Sequence, residues 1–340
     1  SIAIDNPSRI GPIIASVFEM DKFHAQVPDS RLTSDTDVPM IRLRVYNTSS
    51  FASTIRSVLK AMRPKQWAKN GIVFFAFIFT INESWHIADP QSALDLILIC
   101  LQAFIAFCLL ASSTYLINDI LDMNADRLHY KKFSRPIATG ELRRSTALAI
   151  ASILVGLGMG VALTLNWQFA VLASGYLATT LSYSLGLKRI VIIDVMTLSA
   201  GYIMRAAAGA LVIGVPISPW LYIMTGLVAL LIGFGKRRNE LILLHTTDNS
   251  WDQREVLKDY SVPLLDQLIP FVGSATLVAY ILYSVSAPGL PSDHSMLATI
   301  PPVGYGLARY LYLVYHAKLG DIPDETLLSD RPLILATCIW

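Results

Sequence analysis

The sequence predicts an all-α fold, a polytopic membrane helical bundle, and three observations point to it. Apolar residues make up 54% of the 340 and charged residues only 15%, a balance outside the usual range for a domain bathed in water. From Gly71 onward apolar runs recur at close to the twenty residues that about 30 Å of hydrocarbon asks of an α-helix. Between those runs, connections rich in Lys and Arg alternate with connections that have none, the pattern of short loops sorted to the two sides of a membrane.

Taken in order, residues 1–50 mix Pro, Ser, Asp and Arg with isolated aliphatics and hold neither a helical nor a strand period. They are expected to form a poorly ordered polar N-terminal tail ahead of a transmembrane domain over 51–340. Eight spans are expected at about 68–83, 93–117, 145–165, 167–186, 190–213, 218–235, 264–286 and 296–316. A ninth begins at Pro332 and reaches Trp340 after only about 13 Å of helical rise, so nine transmembrane helices are expected with the ninth truncated.

The basic connections carry Lys60, Arg63, Lys65 and Lys69; then Arg127, Lys131, Lys132, Arg135, Arg143 and Arg144; then Lys188 and Arg189; then Lys236, Arg237 and Arg238. Those near 84–92, 166, 214–217 and 287–295 hold no Lys or Arg, which places the N-terminus and every basic loop on the cytoplasmic side. A net charge of +2 distributed this way gives no nucleic-acid footprint. Cys100, Cys108 and Cys338 lie in apolar segments without metal spacing, and no HExxH pair is present, which excludes a disulfide scaffold and a zinc protease.

The strongest chemical signal stands at the inner end of the second span, where Asn118, Asp119, Asp122 and Asp126 form NDxxDxxxD. Steps of four residues keep Asn118, Asp122 and Asp126 on one stripe. Oxygen-bearing side chains where an apolar helix reaches water call for a cation, and hard donors that leave room for phosphate suit Mg²⁺. In the first basic loop Arg63 and Trp67 read as an interfacial anchor. Lys65 and Lys69 share a helix face from which they either anchor or reach phosphate oxygens, with Asn70 beside them.

Tyr183, Lys188 and Arg189 follow the fourth span, and Asp194 and Arg205 lie within the fifth, about 16 Å apart on one face and too far to pair. An ionisable residue at mid-span is a functional candidate by default. Lys236 and Arg237 close the sixth span on the same side as the acidic stripe.

At these residues the chain resembles the UbiA superfamily of intramembrane prenyltransferases, nine-span helical proteins with two Asp-rich motifs above a cavity open to lipid. The first motif matches in full. The second, DxxxD, does not, because Asp194 is followed by Val195, Met196, Thr197, Leu198 and Ser199. The strings RPKQWAKN at 63–70, YLINDILDMNADRLHYKKFSRPIATGEL at 115–142, YSLGLKRIVIIDV at 183–195, FGKRRNEL at 234–241 and GDIPDETLLSDRPL at 320–333 look closer to one branch. That branch moves a 5-phosphoribosyl group from phosphoribosyl diphosphate onto a polyprenyl (decaprenyl) phosphate, and the resemblance covers all but the tail.

The resemblance implies a Mg²⁺-dependent pentosyltransferase in a bacterial plasma membrane, with its active site facing the cytoplasm. Asn118, Asp122 and Asp126 would be the catalytic metal ligands. Lys65, Lys69, Asn70, Asp119, Lys131, Arg135, Tyr183, Lys188, Asp194, Arg205, Lys236 and Arg237 would bind substrate, Tyr183 and Asp194 through the ribose hydroxyls. Charge agrees with that branch, since two phosphate-bearing substrates suit the loss of a carboxylate near Asp194 and a surplus of Lys and Arg. The rival within the superfamily moves an isoprenoid from its diphosphate to an aromatic acceptor. A rival from another class, a transporter using Asp194 and Arg205 as a gated pair, needs repeated hydropathy halves that the sequence lacks.

Overall fold

The computed structural model describes residues 51–81, 84–86, 89–128, 132–216, 219–246, 255–287, 290, 293–316 and 329–340, so the N-terminal tail and Lys131 lie outside the described residues. Among those described there is no β-strand, only one isolated bridge between Ile81 and Trp85.

The chain enters through α1 (Phe51–Met62), continues as a 3₁₀ segment (Pro64–Phe74) into α2 (Phe75–Phe79), and turns into the long α3 (Pro90–Leu121). Pro90 opens α3 and the Asp89 carboxylate caps it by accepting from the Ser92 N–H, both ordinary helix-start devices. After α3 come the short α4 (Met123–Leu128) and α5 (Pro136–Thr139), then α6 (Arg144–Leu165) and α7 (Trp167–Leu185). Asn166 caps α7 at 2.7 Å from the Phe169 nitrogen, which explains the one-residue hairpin between the two helices.

The second half holds α8 (Ile193–Val212), α9 (Pro219–Thr246), α10 (Val262–Ser286), α11 (Ile300–His316) and α12 (Arg331–Ile339). Ser261 caps α10 and Asp330 caps α12, each with Pro in the first turn.

Five helices, α3, α6, α8, α9 and α10, are long and apolar enough to cross a membrane. The outward faces agree: Ile153, Leu163, Val171 and Phe271 are at least 60% exposed, an apolar belt that a water-facing surface would not carry. The interior packs around Phe107, Phe169 and Tyr176 between α3, α7 and α8, and a second core gathers α9, α10 and α11 around Leu231, Leu265, Ile269 and Tyr310. A third lies under α1, where Ala61 meets Leu116, Ile137 and Leu142.

The expected boundaries fit except at three places. The sixth span runs on to Thr246 instead of stopping near 235, because Arg237, Arg238 and Glu240 find ionic partners inside the bundle. The eighth begins as a 3₁₀ turn (Ser295–Thr299).

The largest difference is the first span, expected as a helix over 68–83 and found as a 3₁₀ segment that becomes α-helical only at Phe75. Runs this long are unusual, and here tertiary bonds hold the tighter winding. Trp67 donates to the Ser112 hydroxyl at 3.0 Å, and the Asn70 amide donates to the Cys108 sulfur at 3.2 Å and accepts from Arg205 at 2.7 Å. With three residues per turn, Trp67, Asn70 and Val73 fall on one inward edge. Lys65 and Lys69 therefore do not share a face as an α-helix would have them; four residues of 3₁₀ winding separate them by about 120°. A glycine permits the close approach on the other side, since a Cβ at Gly209 would run into the Val73 carbonyl.

Candidate active site

Asn118 and Asp119 lie in the last turn of α3, Asp122 caps its C-terminus with φ −90° and ψ 3°, and Asp126 sits in α4. The helix formally breaks at Asp122, yet the backbone register persists: the Asp122 N–H donates to Asn118 and the Asp126 N–H to Asp122, at 2.9 and 2.8 Å. The sequence spacing thus holds through the break.

The side chains sort into two interlocked sets. Asp122 accepts from the Asn118 amide at 3.1 Å on one oxygen and from the Lys188 ammonium at 2.5 Å on the other. Asp119 and Asp126 share Arg135, at 3.0 and 2.6 Å, and Asp119 also accepts from Arg63 at 2.5 Å. Exposure separates the sets: the Asp122 side chain is 30% exposed, those of Asp119 and Asp126 only 2% and 3%. Three carboxylates meet three cations, and the acid open to solvent is the one bonded to Lys188.

The loop carrying Arg135 is held from below. Lys60 of α1 donates to the Ser134 carbonyl at 2.8 Å, and Arg127 donates to the Ala138 carbonyl at 3.0 Å.

A second cluster joins α8 to α9. The Arg237 guanidinium donates to Asp194 at 2.5 Å and to Glu240 at 2.7 Å, and both Arg237 and Asp194 are buried. Tyr260 donates its phenol proton to the other Asp194 oxygen at 2.7 Å. Burial, then the bond to Asp194, push the Tyr260 phenol above its ordinary value, so it remains a proton donor throughout the neutral range.

A third group lies within the bundle. Arg205 donates to Asn70, to the Gly201 carbonyl and to the Tyr176 hydroxyl, all within 2.9 Å, and its guanidinium stacks over the Tyr176 ring. Asp194 and Arg205 thus bond to different partners.

The sequence candidates divide accordingly. Asn118, Asp122 and Lys188 come together, as do Asp119, Asp126 and Arg135; Asp194 and Arg237 form a buried pair, and Asn70 and Arg205 another. Lys65 is exposed, while Lys69, Tyr183 and Lys236 are partly buried. Among the described residues no three His, Cys, Asp or Glu side chains converge as a ready cation cage. A groove of about 970 Å³ between α9 and α10, lined by Trp220, Phe271 and Leu282 with Asp266 at its rim, contains none of the acidic-motif residues.

Two participants escaped the sequence reading. Arg63 reads as an anchor, yet its side chain reaches Asp119 across 56 residues from a left-handed backbone with φ 54°. Tyr260 lies in a connection whose polar composition gave no signal.

The chain matches the UbiA prenyltransferase family over residues 73–324. It is 30% identical over 296 residues to the decaprenyl-phosphate phosphoribosyltransferase of Mycolicibacterium smegmatis, covering 84% of this chain and 90% of that protein. Identity to the protein of the same name from Corynebacterium glutamicum is 30% over 286 residues, 83% of this chain and 84% of the other. Among solved structures, a UbiA homologue from Archaeoglobus fulgidus bound to DMAPP and Mg²⁺ superposes with a TM-score of 0.65 at 15% identity, covering 83% of this chain and 96% of that one. At that identity the likeness speaks for the fold.

Proposed function

This chain belongs to the UbiA prenyltransferase family, and from that premise we propose that it transfers a 5-phosphoribosyl group from phosphoribosyl diphosphate to a polyprenyl phosphate, releasing diphosphate. The observation that carries the reading is the interlocking of the acidic motif with Lys188, Arg63 and Arg135 in a charge-balanced cluster, whose exposed member is Asp122. The names of the mycobacterial and corynebacterial relatives support it.

The donor set suits Mg²⁺. That ion binds through one or two carboxylates plus substrate phosphates and keeps several waters, so it needs no cage of acids. Asn118 and the partly exposed Asp122 offer adjacent hard oxygens, and Asp126, bonded to Arg135, would be the third ligand. Bound there, Mg²⁺ would offset the charge growing on the departing diphosphate.

The protein's own groups do the remainder. Lys188, which bonds Asp122, would meet a diphosphate oxygen, and Arg63 and Arg135, which bond Asp119, would supply further phosphate donors. An oxygen of the lipid phosphate attacks the ribose C1 while the C1–O bond to diphosphate breaks, its electron pair leaving with the diphosphate. The attacking oxygen is already anionic near neutral pH, so no strong general base is required. Exposed Lys65 would serve the 5-phosphate or the lipid phosphate. Asp194, Arg237, Arg205 and Asn70 spend their hydrogen bonds on one another or on protein partners, so we assign them to shaping the site. Leu198, four residues after Asp194 where the second motif would have its carboxylate, is an exposed aliphatic side chain and offers no second metal ligand, which weighs against an aromatic-acceptor chemistry.

The reading is tested by incubating purified protein with labelled phosphoribosyl diphosphate, Mg²⁺ and decaprenyl phosphate and following label into the organic phase. Transfer is expected. Absence of label there, with transfer from a prenyl diphosphate to an aromatic acid, would overturn it.

A further inference from the structure

Ile192 adopts φ 70° and ψ −47°, and the Ile193 N–H donates to the Val191 carbonyl at 2.8 Å. Together these define a γ-turn of the positive-φ kind, which is rare and strained even before a β-branched residue is placed at its centre. The turn stands between Lys188, bonded to Asp122, and Asp194, bonded to Arg237, so its geometry sets the direction from one charged pair to the other. Strain at such a residue persists only where the surroundings over-determine it.

The surroundings here include one hydroxyl. The Ile192 N–H, which the turn leaves without an intrahelical acceptor, donates to the Tyr260 oxygen at 2.7 Å, and Tyr260 passes its own proton to Asp194 at 2.7 Å. The ring is fixed in the core that contains Val195, Val256, Leu257 and Leu265, so the hydroxyl is not free to wander. The Ile192 carbonyl is engaged as well, accepting from Val195 and Met196.

We propose that Tyr260 is a positioning residue, whose hydroxyl clamps the γ-turn at Ile192 and thereby holds Lys188 against Asp122. The clamp explains why a β-branched residue sits at a left-handed position where glycine would be unstrained. Its catalytic consequence rests on the proposed role of Lys188 and Asp122; its structural content does not.

The test uses the full chain and three variants: Tyr260→Phe, Ile192→Gly and the double substitution. Tyr260→Phe removes one oxygen and keeps the ring. Hydrogen exchange at the amides of Ile192 to Met196 is expected to quicken about tenfold, the upper end of what one neutral hydrogen bond is worth. Turnover is expected to fall by a similar factor, with the KM for lipid phosphate little changed. Glycine at 192 adopts the turn without strain, so Tyr260→Phe/Ile192→Gly should recover most of the lost turnover, a coupling that a double-mutant cycle reads directly. A Tyr260 that merely packs the core predicts no such recovery and a lower melting temperature in both backgrounds, and that result overturns the proposal. So does exchange in Tyr260→Phe equal to wild type. Should the wild-type protein transfer no phosphoribosyl group, the assigned reaction fails on its own, and the exchange measurement still decides the clamp.

Discussion

Asp122 differs from its two neighbours in the motif by being reachable, with 30% of its side chain exposed against 2% and 3% for Asp119 and Asp126. Replacing it with Asn keeps shape and removes charge, so turnover is expected to fall about 100-fold or more, measured as label release under saturating Mg²⁺, while melting temperature changes little. Arg205 should behave the opposite way. It is 7% exposed and bonded to Asn70, Gly201 and Tyr176. Arg205→Ala strands the buried Asn70 amide oxygen and is expected to cost about 2 kcal/mol or more, seen as a lowered melting temperature in detergent. A melting temperature equal to wild type would return Arg205 to the role of phosphate ligand. The motif was legible because its spacing is local. The partners were not: Arg63 and Asp119 are 56 residues apart, Lys188 and Asp122 66, Tyr260 and Asp194 66, and only packing brings them together.

Among the elements, α8 presses against the first crossing with only a glycine between the backbones. Gly209→Ala is expected to push the two apart and cost about 1–3 kcal/mol, whereas Gly175→Ala on α7, where the added carbon meets nothing within 4 Å, should be neutral. Thermal unfolding of the pair separates these outcomes. At the chain's end the Asp330 carboxylate, capping α12, is held below the usual carboxylate range by hydrogen bonds from Arg309. A carboxyl lowered on folding contributes above its unfolded value, about 4, and the contribution is lost as pH falls through the lowered one. Loosening of α12 is therefore expected only in acid, below about pH 4, and Asp330→Asn should abolish that dependence in hydrogen exchange of 331–339. Helices α3, α6, α7, α8 and α10 were legible from apolar length alone. The first span was not, because hydropathy cannot register that side-chain ties from Trp67 and Asn70 wind the backbone more tightly than an α-helix.

Across the molecule as a whole, an apolar belt surrounds a bundle in which Asp119, Asp122 and Asp126 meet Arg63, Arg135 and Lys188 in one cluster, so cation supply is the lever that acts on that cluster at once. Stripping divalent ions with EDTA is expected to abolish transfer and added Mg²⁺ to restore it; transfer that persists without divalent ions would remove the metal from the scheme. The first crossing also bears on how such a protein fits its bilayer. Along it Arg63 meets Asp119, Trp67 meets Ser112, Asn70 meets Cys108 and Phe74 meets Phe104, so eleven steps of this segment keep pace with fifteen of α3. A 3₁₀ helix climbs about 2.0 Å per residue against 1.5 Å, and Pro64 to Phe79 together therefore extend about 30 Å, the full hydrocarbon thickness. Sixteen residues do there what ordinarily takes twenty, and a search for long apolar stretches passes over a crossing that is complete in ångströms.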